Sequence, residues 1–167
     1  MNFSLVFSRK TWYSLLVIST ALSMSAGFGA LTGVDLSILN VAAFAIMGLS
    51  VLFLAAEKEN DKPLRNSYFQ SFLLGMLGYI FTGAVGLVGA CMAWPMLLYT
   101  EQKRGAPLAN QMKLLLLSEG IYACFWLLAS SGMENIYFYV NLFAVLKAVA
   151  RGWGAYSLLR WHKTPAA

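Results

Sequence analysis

Charge is scarce in this chain: 11% of its 167 residues are Asp, Glu, Lys or Arg, against 59% that are hydrophobic. A mean hydropathy of +0.66 lies outside the range of soluble globular domains and excludes that class. Histidine occurs once, as His162 in the basic tail, which excludes haem ligation by paired histidines and any histidine-based metal cluster. The two cysteines, Cys91 and Cys124, lie inside apolar runs without CxxC spacing and read as small core residues, not a redox pair. No glycine-rich phosphate loop, nucleophile elbow, zinc motif or pair of carboxylates at one depth is present. Glu57, Glu59 and Asp61 alternate with bases, the pattern of a solvated turn. Neither a cofactor, a metal nor an enzymatic activity is expected. The net charge of +5 comes without a basic stripe of interleaved aromatics, so no nucleic-acid partner is expected either.

What remains is apolar length. The sequence predicts an all-α, polytopic transmembrane helical bundle, a single membrane domain whose main partner is the lipid bilayer. A span needs about 20 apolar residues. The tracts 11–31, 36–56, 64–81, 84–103, 112–131 and 136–157 supply six. Arg9-Lys10 ahead of the first tract could imitate a signal peptide, but the run is too long for a typical h-region and reads as a retained span. Ser67–Thr100 is 34 residues without charge. As one helix it would run about 50 Å, well beyond the hydrocarbon thickness of about 30 Å, so two spans turning near Thr82-Gly83-Ala84 are more economical. Five spans with one long tilted helix is the alternative.

Positive charges set orientation. Lys58, Lys62 and Arg65 in loop 57–66, and Lys103 and Arg104 in loop 101–111, argue that both loops are cytoplasmic. Arg9-Lys10 and the C-terminal Arg151, Arg160 and Lys163 then place both termini on the same side. The short loops, with no lumenal region ready for glycosylation, suit a bacterial inner membrane.

The second half is arranged around a helical hairpin, Met112–Ser131 and Ile136–Ser157, turning at Gly132-Met133-Glu134-Asn135. Each arm carries one ionisable residue about 14 positions from the turn, Glu119 and Lys147, so both lie roughly 20 Å below one face. An unpaired charge in hydrocarbon costs about 2.5–3.5 kcal/mol or more, and the two are expected to form an intramembrane ion pair. They are either a structural pair, with Lys147 snorkelling beside Arg151, or part of a solute or proton path. Ser118, Gly132 and Glu134 each lie 99 residues on from Ser19, Gly33 and Asp35, which suggests a degenerate parallel repeat of hairpins. Asn40 and Asn141 then correspond after two extra residues. The charges break the symmetry, since Thr20 stands where Glu119 would be and Ile46 where Lys147 would be.

Trp94-Pro95 in a span ending Tyr99-Thr100-Glu101-Gln102-Lys103-Arg104, Trp126 ahead of the Gly132 corner, and Asn141 early in the next span follow in a distinctive order. Over Gly83–Lys163 this order resembles the three-helix unit of the SWEET, SemiSWEET and PQ-loop transporters, although Met96 replaces the glutamine of the name-giving dipeptide. The resemblance implies substrate binding by Asn141 and Trp126, and by Asn40 in the first half, with Pro95 as a hinge. A proline in a span frees a carbonyl and permits bending. Against this, asparagines in spans often only bridge helices, and Trp12, Trp153 and Trp161 mark interfaces.

Two functions follow. The first is binding or transport of a small polar solute through an intramembrane pocket. The alternative is a membrane interaction protein without transport activity, an accessory subunit or an immunity or exclusion factor. It would grip another membrane protein, or a second copy of itself, through the small-residue stripe Ser25, Gly29 and Gly33.

Overall fold

The computed structural model describes residues 8–57 and 61–163; Lys58, one of the bases used above to orient the chain, lies outside the described residues. The structure is all-helical, and six helices fall on the six apolar tracts: α1 (Arg9–Thr32), α2 (Ser37–Ala56), α3 (Lys62–Ile80), α4 (Gly83–Lys103), α5 (Ala109–Ser130) and α6 (Tyr137–Lys163), the last preceded by a 3-10 turn at Glu134–Ile136. Four of them, α1, α2, α4 and α5, are long and apolar enough to cross a membrane, which marks the chain as an integral membrane protein.

The uncharged tract 67–100 is broken. Phe81 and Thr82 are extended, and α4 folds back along α3 in the tightest hairpin of the bundle. The sequence makes this approach with glycine. A Cβ at Gly78 would strike the backbone of Ala90, one at Gly86 the carbonyl of Phe81, and one at Gly89 would sit 2.6 Å from the carbonyl oxygen of Leu74. The tract thus forms two helices, as expected, and the alternative of a single long helix fails, because side-chain-free surfaces let the two halves pack on each other.

The two corners matched by the repeat share a backbone solution. Gly33 closes α1 with φ 76° and Gly132 follows α5 with φ 95°, the left-handed conformation that glycine adopts without steric cost. At the first corner the Asp35 carboxylate accepts the Ser37 N–H at 2.9 Å. That bond, with the Ser37 hydroxyl, holds Asp35 below its ordinary pKa. At the start of α3 Asp61 caps the Leu64 N–H at 3.2 Å. Pro63 sits in the first turn, where its missing N–H costs nothing, so the helix begins two residues earlier than the tract 64–81.

Each helix packs on its neighbours in sequence, and α1 closes against α6, giving a ring α1-α2-α3-α4-α5-α6. Short connections make neighbours antiparallel, so the three corners at 33–36, 81–82 and 131–136 share one end. The start of α1, the end of α6 and the chain leaving α2 and α4 share the other. The closure is again steric: a Cβ on Gly27 would come within 2.8 Å of Val145 Cγ2, and one on Gly152 within 3.2 Å of Thr20 Oγ1.

The core lies toward the end holding the termini. Leu16, Val51, Leu54, Leu97, Leu98, Leu115 and Leu158 are fully buried there, and Trp12 stacks on Phe53 with centroids 4.2 Å apart. Arg9 ties α1 to the end of α2 through Glu57 at 2.7 Å.

Candidate functional site: an axial cavity

The ring holds a half-open cavity of about 320 Å³ with walls from all six helices. Its existence follows from which residues face the axis. Ala43, Ala90, Ala93, Ala144 and Ala148 present little side chain there, while Gly27 and Gly78 bring neighbouring helices together at their flanks, so space is left between the helices. Into that space project Ser19 and Ser23 of α1, one turn apart, Asn40 and Phe44 of α2, Tyr79 of α3, Trp94 of α4, Tyr122 of α5, and Lys147 and Arg151 of α6, again one turn apart. By helical rise the lining runs from the corner end inward about 15–20 Å, to Met47, Trp94 and Arg151.

Behind this wall Glu119 is 2% exposed and carries the charge pairing. Its partner is Arg151, not Lys147: the guanidinium Nη2 lies 2.5 Å and Nε 2.6 Å from Glu119 Oε1. Arg151 also donates to the Ala90 carbonyl at 2.9 Å and so links α5, α6 and α4. The expected Glu119–Lys147 pair is thus corrected. Residues 147 and 151 share a helix face, and the longer, forked guanidinium reaches both the carboxylate and a backbone acceptor, as an ammonium cannot. Glu119 Oε2 is buried and has no hydrogen-bond partner among the described residues. Lys147 takes another position, with its ammonium 3.2 Å from the centroid of the Tyr122 ring. Among the described residues none of the ion pairs includes Lys147.

A second buried carboxylate seals the bundle toward the termini. Glu101, assigned above to the stretch where span meets loop, belongs to the last turn of α4 and is fully buried. Tyr68 donates its hydroxyl to Glu101 Oε1 at 2.6 Å, and Arg104 Nη1 lies 2.6 Å from Oε2. Arg104 also donates to the hydroxyls of Tyr13 and Tyr68, both at 3.1 Å. This knot joins α1, α3 and α4 below the cavity. The sequence hides it, because Glu101 stands beside Gln102, Lys103 and Arg104 in what resembles a solvated end.

Of the residues implied by the family resemblance, Asn40 faces the cavity. Trp126 and Asn141 are partly buried and stand outside its walls. Pro95 is buried within α4, next to the lining residue Trp94, and α4 remains helical through it. It removes the N–H that would meet the Cys91 carbonyl. Near this point Ser71 donates to the Ala93 carbonyl at 2.7 Å, from α3. Between α1 and α2, Ser19 likewise donates to the Ala43 carbonyl at 2.7 Å. The stripe proposed as a partner-binding face is used internally at its centre: Gly29 is buried, and a Cβ there would lie 2.7 Å from the Val34 carbonyl oxygen and 2.8 Å from Leu36 Cδ1.

Sequence reasoning missed Ser19, Ser23, Trp94 as a wall, Tyr122 and the pairing role of Arg151. The signal that could have found them is the Ser19-Ser23-Gly27 spacing of four, matched by Ala144-Ala148 beside Lys147-Arg151. Among the described residues no group of three His, Cys, Asp or Glu side chains is placed to hold a metal ion. No family model, curated protein or solved structure matches the chain.

Proposed function

We propose that this chain binds and moves a small polar solute through the cavity on the axis of its helical ring, and that all six helices cross the membrane. One observation carries the reading: a cavity walled by all six helices that combines hydroxyls, an amide, aromatic faces and two cations at the depth of the apolar belt. Intramembrane ionisable groups that face a cavity are the usual mark of a solute or ion path. The volume falls at the lower end of small-molecule sites, roughly 300–1,000 Å³.

The crossing of α3 and α6 rests on their outward faces. Phe69, Leu73, Leu77 and Ile80 form an exposed apolar stripe on α3, and Leu146, Val149, Trp153 and Tyr156 one on α6. Lys147 and Arg151 of α6 turn inward to the cavity and Arg160 lies near the helix end, while the polar residues of α3, Lys62, Arg65, Asn66 and Gln70, lie in its first turns. Basic residues gather at the end with the termini, and the corner end offers Asp35 and Glu134, so we assign the termini to the cytoplasm and the cavity mouth to the opposite side. A bacterial inner membrane fits the short connections. Pro95 gives α4 a place to bend, and the Glu101–Tyr68–Arg104 knot closes the cytoplasmic end. The rival reading, docking to another membrane protein through Gly29, is weakened because that surface is consumed by the corner's own backbone.

The test uses a cysteine-free background with Cys91 and Cys124 replaced by Ser. Cysteine placed at Ser23 should react with a membrane-impermeant thiol reagent from the non-cytoplasmic side, and cysteine at Gln102 only from the cytoplasmic side. Small molecules co-purifying with the protein in mild detergent should include a polar solute that is lost from Ala144→Trp. A Ser23 site protected from both sides, with identical small-molecule content in the two proteins, would end the proposal.

A further inference from the structure

This inference rests on reading the cavity as the solute site, and concerns what the solute must be. Two cations and no carboxylate line the cavity. Arg151 is neutralised from behind by Glu119, and its remaining contact goes to the Ala90 carbonyl. Lys147 is in none of the ion pairs among the described residues: it rests on the face of Tyr122, which attracts a cation without cancelling its charge, and the Glu119 carboxylate, bound to Arg151, acts on it only across a distance. The cavity, with two cations against the one carboxylate behind it, therefore carries one positive charge in excess, in a lining that also holds the rings of Trp94, Phe44 and Tyr79 and the hydrogen-bonding side chains of Ser23 and Asn40.

We infer that the ligand is a small organic monocarboxylate, its anionic group at Lys147 Nζ and its body against the aromatic wall. Charge selects the class: one leftover cation matches one carboxylate, whereas a phosphate monoester brings about −1.5 to −2 at neutral pH. Size excludes a whole phospholipid, which a cavity of about 320 Å³ does not hold.

The experiment compares acids with their neutral amides. Full-length protein in nanodiscs of phosphatidylcholine alone is titrated with benzoate and benzamide, and with lactate and lactamide, while thermal unfolding and tryptophan emission are followed. The acids should raise Tm by about 5 °C at saturation and the amides should not. Lys147→Met should weaken the acid effect at least about tenfold and Lys147→Arg should keep it, since a desolvated charge pair is worth more than one factor of ten. The wild-type acid and amide comparison needs no variant, so a misfolded Lys147→Met leaves the inference testable. Equal effects of acid and amide would overturn the anion and leave the pocket reading standing. No effect of any acid, with the small-molecule content of Ala144→Trp unchanged, would remove both. A Lys147-dependent shift produced only by adding phosphatidylglycerol to the discs would assign the anion to lipid and overturn the soluble carboxylate.

Discussion

Arg151 of α6 lies 2.5 Å from the carboxylate of Glu119 on α5, both at mid-bundle, while Lys147, one turn nearer the corner, rests on Tyr122. Two cations on one helix face have been given different tasks. One holds helices together, and the other lines open space. Removing one partner of a buried pair leaves an uncompensated charge and costs about 3–5 kcal/mol, whereas replacing both by apolar groups is often neutral. Glu119→Leu should therefore lower the unfolding free energy by about that much, and Glu119→Leu with Arg151→Leu should recover most of it. Equilibrium unfolding in micelles gives the cycle. Glu119 coupling more strongly to Lys147 than to Arg151 would contradict the pairing.

The contact of Gly27 with Val145 closes the ring between its first and last helices. Gly27→Ala should destabilise the fold by about 1–3 kcal/mol through overpacking. Val145→Ala in the same chain should relieve part of the cost, because the clashing atom is Val145 Cγ2 at 2.8 Å. Denaturation midpoints of the two singles and the double decide this; strictly additive losses would mean that the helices do not meet there.

At the end of the bundle opposite the corners, Tyr68→Phe removes a hydroxyl that is fully buried between Glu101 and Arg104. The loss should be about 1–3 kcal/mol, the cost of a charged group deprived of a buried hydrogen bond. Glu101→Ala should cost more, since it takes the carboxylate from Arg104 and leaves it only tyrosine hydroxyls and the Trp161 ring. Stability curves of both variants provide the comparison. A Glu101 that behaves as a surface residue, with changes under about 0.5 kcal/mol, would refute its burial.

The asparagines separate the cavity from the family resemblance. Asn40→Ala should weaken solute binding up to about tenfold, the value of one hydrogen bond, and Asn141→Ala and Trp126→Ala should leave it within about twofold. Binding isotherms on the purified variants measure this. The opposite ranking would favour the pocket implied by the SWEET-type pattern.

Much of the architecture was readable from the amino acids. Apolar length, charge-free tracts and corner glycines act locally, so the six helices fall on their expected tracts, although α6 runs past its expected end at 157 to Lys163, and Gly33 and Gly132, matched by the repeat, turn out to share a left-handed conformation. The position of Glu119, Lys147 and Arg151 along their helices was legible too, because it follows from counting at about 1.5 Å per residue. Azimuth was not. Each residue turns a helix by about 100°, and only packing against neighbours fixes which face looks inward. Tertiary structure therefore decided that Arg151 takes Glu119, that Asn40 and not Asn141 meets the cavity, and that Glu101 is buried at the foot of α4. It also decided that Gly29 serves its own corner. Sequence set the rods and the heights of their charges; the rotation of each rod, chosen where glycine and alanine let backbones approach, created the cavity.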